Sequence, residues 1–149
     1  MNQFFTKLIF MKTIFFLAFT CISLSLISCK DDSVPVAYDY HAHIMQPSSA
    51  DKSMGDILFI QVEFESHTGE AVEHIQVRIF NKATLNEVYK KPSDAHVAGG
   101  PSVHEFQDQV ELIALNGFSP GDWVIEAKVW GHDEGQDEEA EQVEFHIHP

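Results

Sequence analysis

The 149-residue sequence has only two cysteines, Cys21 and Cys29, and residues 30–149 carry no thiol. Disulfide bonds, thiolate catalysis and cysteine-based metal sites are thereby excluded from that part of the chain. Positive charge is also scarce. Two of the nine basic residues, Lys7 and Lys12, precede Cys29, whereas all 23 acidic residues follow it, so the formal charge of −14 for the whole chain becomes −16 beyond Cys29. Such a surface repels nucleic acid and anionic headgroups and attracts cations, so no nucleic-acid partner is expected. The chain also lacks a Gly-x-Ser-x-Gly elbow, a His-Glu-x-x-His helix, a Walker loop and a dinucleotide fingerprint. A Ser/His/carboxylate set can be assembled on paper from Ser66 and His67, but nothing in the spacing recommends it. No enzyme is expected. Internal repeats and long amphipathic helices are missing as well.

The N-terminus has a definite layout. Residues 1–28 contain no acidic residue, and Lys7 and Lys12 precede the apolar run Thr13–Ile27. A basic segment followed by an apolar one is the pattern of a secretory signal. Met11-Lys12 would itself begin a compact signal of ordinary length. The apolar run approaches the ~20 residues needed to span a bilayer, so an uncleaved anchor is the competing reading. Leu26-Ile27-Ser28-Cys29 resembles the bacterial lipobox, which implies acylation of Cys29 and cleavage before it. Lys30-Asp31-Asp32 is similar to the export signal of Bacteroidota lipoproteins, which implies display on the outer face of the outer membrane. Three regions follow: a signal peptide at 1–28, the lipidated cysteine with an acidic tether at 29–36, and one domain at 37–149. That domain is long enough for a single core.

The domain reads as strands. Ile60, Val62 and Phe64 alternate with Gln61, Glu63 and Glu65; Ile75, Val77 and Ile79 alternate with His74, Gln76 and Arg78. A short strand is expected near Glu87–Lys90, and others at Val103–Leu115, from Trp123 to Val129, and through Val143, Phe145 and Ile147. A first strand over Ala37–Met45 is less regular. Turn formers separate them, among them Gly55-Asp56, His67-Thr68-Gly69-Glu70 and Gly99-Gly100-Pro101. The stretch Ser119–Ala127 resembles the Pro-Gly turn that leads into the penultimate strand of immunoglobulin-like and fibronectin type III-like domains. The expected fold is an all-β, immunoglobulin-like/fibronectin type III-like β-sandwich of about seven strands.

Histidine is the abundant chemical group. Nine are present, all after Cys29, and two pairs have His-x-His spacing: His41/His43 and His146/His148. On a strand, residues two apart share a face, so each pair presents two imidazoles about 6–7 Å apart. Imidazole suits Zn²⁺, Cu²⁺ and Ni²⁺, and a carboxylate such as Glu144 can complete a shell. Immunoglobulin-like sandwiches can set the first and last strands side by side, which would bring all four imidazoles together. His132 shares a strand face with Glu126, Lys128 and Trp130, an outward one on this reading, and would approach the last strand. His67 and His96 read as turn and loop residues, and His104 as a core-edge residue. The acidic run Asp133–Glu141 lacks the ordered spacing of a Ca²⁺ loop and reads as a solvated hairpin tip.

As a whole the chain resembles small Bacteroidota surface lipoproteins of unknown function with one immunoglobulin-like, His-rich domain. The resemblance implies Cys29 as lipid site and Lys30, Asp31 and Asp32 as export signal. The leading expectation is a lipid-anchored binding module that captures or buffers Zn²⁺ or Cu²⁺ through His41, His43, His146, His148, His132 and Glu144. The rival is a metal-free interaction lipoprotein, an accessory subunit for an outer-membrane protein partner.

Overall fold

The computed structural model describes residues 39–93, 95–97, 102–131 and 138–149. Cys29, Lys30, Asp31, Asp32 and His132 lie outside the described residues. Eight strands are present: β1 (Tyr40–Gln46), β2 (Lys52–Ser53), β3 (Ile57–Ser66), β4 (His74–Asn81), β5 (Glu87–Lys91), β6 (Val103–Glu111), β7 (Gly121–Trp130) and β8 (Glu139–His148). They form two sheets, β1-β3-β6 and β2-β8-β7-β4-β5. The fold is an all-β, immunoglobulin-like sandwich. Among the described residues no helix is long and apolar enough to cross a membrane.

Alternation sets which face is buried. Leu58, Ile60, Val62 and Phe64 of β3 point inward, as do Ile75, Val77 and Ile79 of β4. Trp123, Ile125, Ala127 and Val129 of β7 meet Phe145 and Ile147 of β8 in the same core. Removing this apolar surface from water, at about 25 cal/mol per Å², is the main force holding together a domain without disulfides.

The structure departs from the sequence expectations at several points. The two-residue β2 is an eighth strand, paired in parallel with β8 through Lys52/Ile147 and Ser53/His148; it is too short to show any periodicity. β6 ends at Glu111 rather than Leu115, and the chain passes through a single 3₁₀ turn, Ala114–Asn116. Gly117 ends that turn at φ 89°, in the left-handed region that favours glycine. The outer face of β7 is exposed at Asp122 but covered at Glu126 and Trp130, which are 3% and 6% accessible. Trp130 is covered by the His74 ring, stacked at 5.3 Å. Glu126 is held by Arg78 Nε at 2.6 Å and by the Gln142 amide.

The decisive departure is topological. β1 and β8 belong to different sheets. The end of β8 nearest β1 is its beginning, where Glu139 faces His41 and Glu141 accepts the Ile44 N–H. His146 lies seven residues further on, about 23 Å along an extended strand. His41, His43, His146 and His148 therefore do not form one site.

Candidate metal centre

The first histidine pair instead finds its partners within its own sheet. β1 and β3 are antiparallel, with Tyr40 opposite Ser66, His41 opposite Glu65 and His43 opposite Glu63. Continuing that register places Asp39 opposite His67, where the His67 N–H donates to the Asp39 carbonyl. Tyr40 and Ala42 fill the core beneath, so His41 and His43 must project outward. Their rings are stacked 6.1 Å apart, as same-face strand neighbours should be. The His67 ring reaches back over β1 to within 4.5 Å of the His41 ring.

Asp39, His41 and His67 each offer one donor atom, and the three atoms lie within 4.8 Å of one another. His41 Nε2 is 2.9 Å from Asp39 Oδ1, and His67 Nδ1 is 3.5 Å from Asp39 Oδ2. Donors on one tetrahedral ion, each about 2.0–2.1 Å from it, stand about 3.3 Å apart. The two contacts to the Asp39 carboxylate, one on each oxygen, fall on either side of that value.

The opposite edge of each ring is also occupied. Glu139 Oε1 lies 3.5 Å from His41 Nδ1, and Glu65 Oε1 lies 2.9 Å from His67 Nε2. A ligating imidazole commonly gives its other N–H to a carboxylate, which fixes the tautomer and raises ligand basicity. His67 has that arrangement with Glu65, while Glu139 stands beside His41 at ion-pair distance without a hydrogen bond. Glu65 Oε1 is also 3.0 Å from His43 Nε2, which ties the third imidazole to the cluster. The hydrogen bond that His67 donates to Glu65, helped by the Asp39 charge, raises the His67 pKa. Hydrogen bonds from His67 and then His43 hold Glu65 below the ordinary carboxylate range.

His146 and His148 also project outward, on the other sheet. His146 Nδ1 is 2.7 Å from Asp122 Oδ1, and His148 Nε2 is 3.0 Å from Asp51 Oδ2. Glu144 does not join them: its carboxylate is paired with Lys82 Nζ. The ammonium supplies a full charge at contact, and Asp122 and Asp51 are the carboxylates beside the imidazoles. His96, expected as a plain loop residue, forms a β-bridge with His74 and brings its ring to 5.1 Å. The His74 Nδ1 bonds the Gly131 carbonyl at 2.7 Å. A carbonyl can only accept, so Nδ1 carries the proton there. His104 is half-buried opposite Phe64, as a core-edge residue should be.

His67, Asp39, Glu65 and Glu139 are the site residues that the sequence did not single out. One signal was available: Glu63, Glu65 and His67 continue a single polar face beyond the end of β3.

No protein-family model and no curated protein matches the chain. Among the solved structures similar to it is the CARDB domain of a Pyrococcus furiosus protein in complex with di-metal ions. It shows 12% identity and a TM-score of 0.46 over 74% of this chain and 93% of that one. The solution structure of the same domain gives 12% identity and a TM-score of 0.48, covering 74% and 94% of the two chains. A β-glucosidase from Listeria innocua matches at 14% identity and a TM-score of 0.45 over 74% of this chain but only 16% of its own. No residue or ligand is carried over from them.

Proposed function

We propose that this chain is a non-catalytic, lipid-anchored module that binds a divalent transition-metal ion at Asp39, His41 and His67. The observation that carries the reading is the convergence of one donor atom from each of these residues within 4.8 Å. Imidazole and carboxylate without sulfur suit Zn²⁺, Cu²⁺ or Ni²⁺ and disfavour Cu⁺. The site faces solvent, with side-chain exposures of 56% for Asp39, 30% for His41 and 52% for His67. Open access fits capture and release better than permanent structural binding. The acidic surface around it draws cations in.

Anchoring rests on the lipobox-like Leu26–Cys29 stretch, and outer-face display on Lys30-Asp31-Asp32. Acylated Cys29 would lie ten residues from Asp39, no more than about 36 Å even with the chain fully extended. The ion would then be held close to the membrane, where a transporter or other outer-membrane partner can receive it. A metal-free interaction module is the competing reading, favoured by Ile57 and Phe59. These are 54% and 61% exposed on the same sheet face.

Equilibrium dialysis of the detergent-solubilised full chain with Zn²⁺ and Cu²⁺ separates the two. The metal reading expects binding tighter than about micromolar, or −8 kcal/mol, lost from the tightest step in H41A/H67A. Affinity unchanged in that variant, or no binding at that level, removes the metal reading.

A further inference from the structure

From the other end of the sandwich we infer that the chain has a second, weaker divalent-metal site, formed by His146, His148, Asp122 and Asp51. Three separate segments build it. β8 supplies two imidazoles on one outward face, with ring centroids 4.7 Å apart. β7 supplies Asp122, directly opposite His146 in the antiparallel register. The turn before β2 supplies Asp51, whose position is fixed because Ser53 pairs with His148 and the Met54 N–H donates to the His148 carbonyl.

The donor chemistry is two imidazoles and two carboxylates, suited to Zn²⁺, Ni²⁺ or Cu²⁺. Each imidazole already has a carboxylate oxygen close by, at 2.7 Å for His146–Asp122 and 3.0 Å for His148–Asp51. Neighbouring donors on one ion stand about 3.3 Å apart, so each pair already has that spacing, and one ion would hold both once the side chains rotate until the two pairs converge. Asp51 lies against His148, whose ring stands next to that of His146. The core residues Phe145 and Ile147, on the opposite face of β8, lock the strand so that the histidines cannot turn inward.

The rank of the two sites follows from their neighbours. Glu65 and Glu139 surround the first site. At the second, Lys52 acts on Asp51 and Lys82 on Asp122. Those ammonium groups oppose an arriving cation. They predict that the His146/His148 site fills after the Asp39/His41/His67 site.

The inference does not rest on the first site, and the test keeps them apart. Zn²⁺ alone is titrated into metal-free, detergent-solubilised full chain at neutral pH, with wild type, H41A/H67A, H146A/H148A and the fourfold variant compared. Wild type is expected to bind two ions in two steps, and H146A/H148A to lose the weaker step. H41A/H67A should retain one ion, which the fourfold variant loses. D51N/D122N is an independent arm, expected to weaken the second step at least about tenfold, the equivalent of 1.4 kcal/mol. Circular dichroism confirms that each variant retains its sheets. A single ion per chain in wild type, lost entirely in H41A/H67A, overturns the second site. So does a weaker step that survives H146A/H148A. If wild type and H41A/H67A bind alike and H146A/H148A binds nothing, the second site stands and the first falls.

Discussion

Replacing Arg78 with methionine should destabilise the domain by about 3 kcal/mol, the low end of the 3–5 kcal/mol range for breaking a buried pair. Glu126 sits on the outer face of the five-stranded sheet, yet its side chain is only 4% accessible. Arg78 Nε holds one carboxylate oxygen at 2.6 Å and the Gln142 amide holds the other. Methionine keeps the apolar stem of Arg78 but removes the charge, and Glu126 is left buried with one neutral partner. The low end applies because Arg78 itself is 35% exposed and water can follow into its place. The guanidinium also lies 4.9 Å above the Phe80 ring, a contact worth about 0.5–1 kcal/mol at exposed sites. At about 4 °C per kcal/mol for a domain of this size, Tm should fall by roughly 12 °C.

The pH dependence gives the sharper check. Burial raises the Glu126 pKa, but the hydrogen bonds from Arg78 and Gln142 outweigh it, and the group titrates below its ordinary value. A carboxyl depressed on folding stabilises the native state above its unfolded pKa, about 4.3, and that contribution is lost as pH falls through the folded value. Without Arg78, burial dominates and the carboxyl titrates above its ordinary value. The gap between wild type and R78M should therefore be widest near neutral pH and narrow towards pH ~4. Urea denaturation across that range measures it. R78M/E126L, which removes both charges, should recover most of the loss. A gap below about 1 kcal/mol at neutral pH, where an exposed pair would fall, would refute the argument, as would a gap that does not change with pH.

Three further outcomes are expected. Glu139→Gln should weaken Zn²⁺ binding at the first site by about 10–100-fold, the usual effect of removing a carboxylate behind a ligating imidazole; dialysis with an unchanged constant would remove Glu139 from the centre. Glu65→Gln should lower the NMR titration midpoint of His67, because its hydrogen bond is the first cause of the raised value. In wild type the His67 contribution to stability is present below the ordinary imidazole pKa and lost as pH rises through the raised one. The Glu65 contribution runs the other way, so their pairing is strongest between about pH 4.3 and 6.5. Gly117→Ala should cost at least about 1–2 kcal/mol for the left-handed backbone alone. The new Cβ would also stand 2.8 Å from Val88 Cγ1; a Tm equal to wild type would show that the 3₁₀ turn relaxes.

Much of the fold was legible because alternation reports directly which face of a strand is buried. Leu58, Ile60, Val62 and Phe64 carry that signal without interruption, and all four are buried. Alternation does not report which sheet a strand joins. His41 and His146 read alike in sequence although β1 and β8 lie in different sheets, and for that reason the single four-histidine site was a reasonable but mistaken expectation. The site itself was half legible. His-x-His on a strand marked His41 and His43, and Asp39 continues their face two residues earlier, but His67 is distant in sequence and joins them only through the β1–β3 register. Glu126 and Trp130 lie on the outward face that alternation gives them, but alternation does not report that this face is covered. β7 is flanked on both sides by paired strands, and Arg78, Gln142 and His74 from those strands cover its outer face.

Both histidine pairs follow one construction, and it bears on what metal removal should do. In each, antiparallel register sets a carboxylate opposite an imidazole: Asp39 opposite His67, beside His41, and Asp122 opposite His146. Directly opposed residues have Cβ atoms about 4.5–5.5 Å apart, within reach of a shared ligand. A slip of one residue would throw every donor into the core. What prevents that slip is apolar: Tyr40, Ala42, Val62 and Phe64 behind the first pair, Trp123, Phe145 and Ile147 behind the second. The donors are therefore arranged by the core before any ion arrives, unlike small zinc domains, whose binding energy is their folding energy. Stripping metal with a chelator should leave the far-ultraviolet circular dichroism of the sheets unchanged. Readdition should raise stability only by mass action, about 2.7 kcal/mol at a free concentration 100 times Kd. Collapse of the sheet signal on chelation would show that the ion, not the core, sets the register.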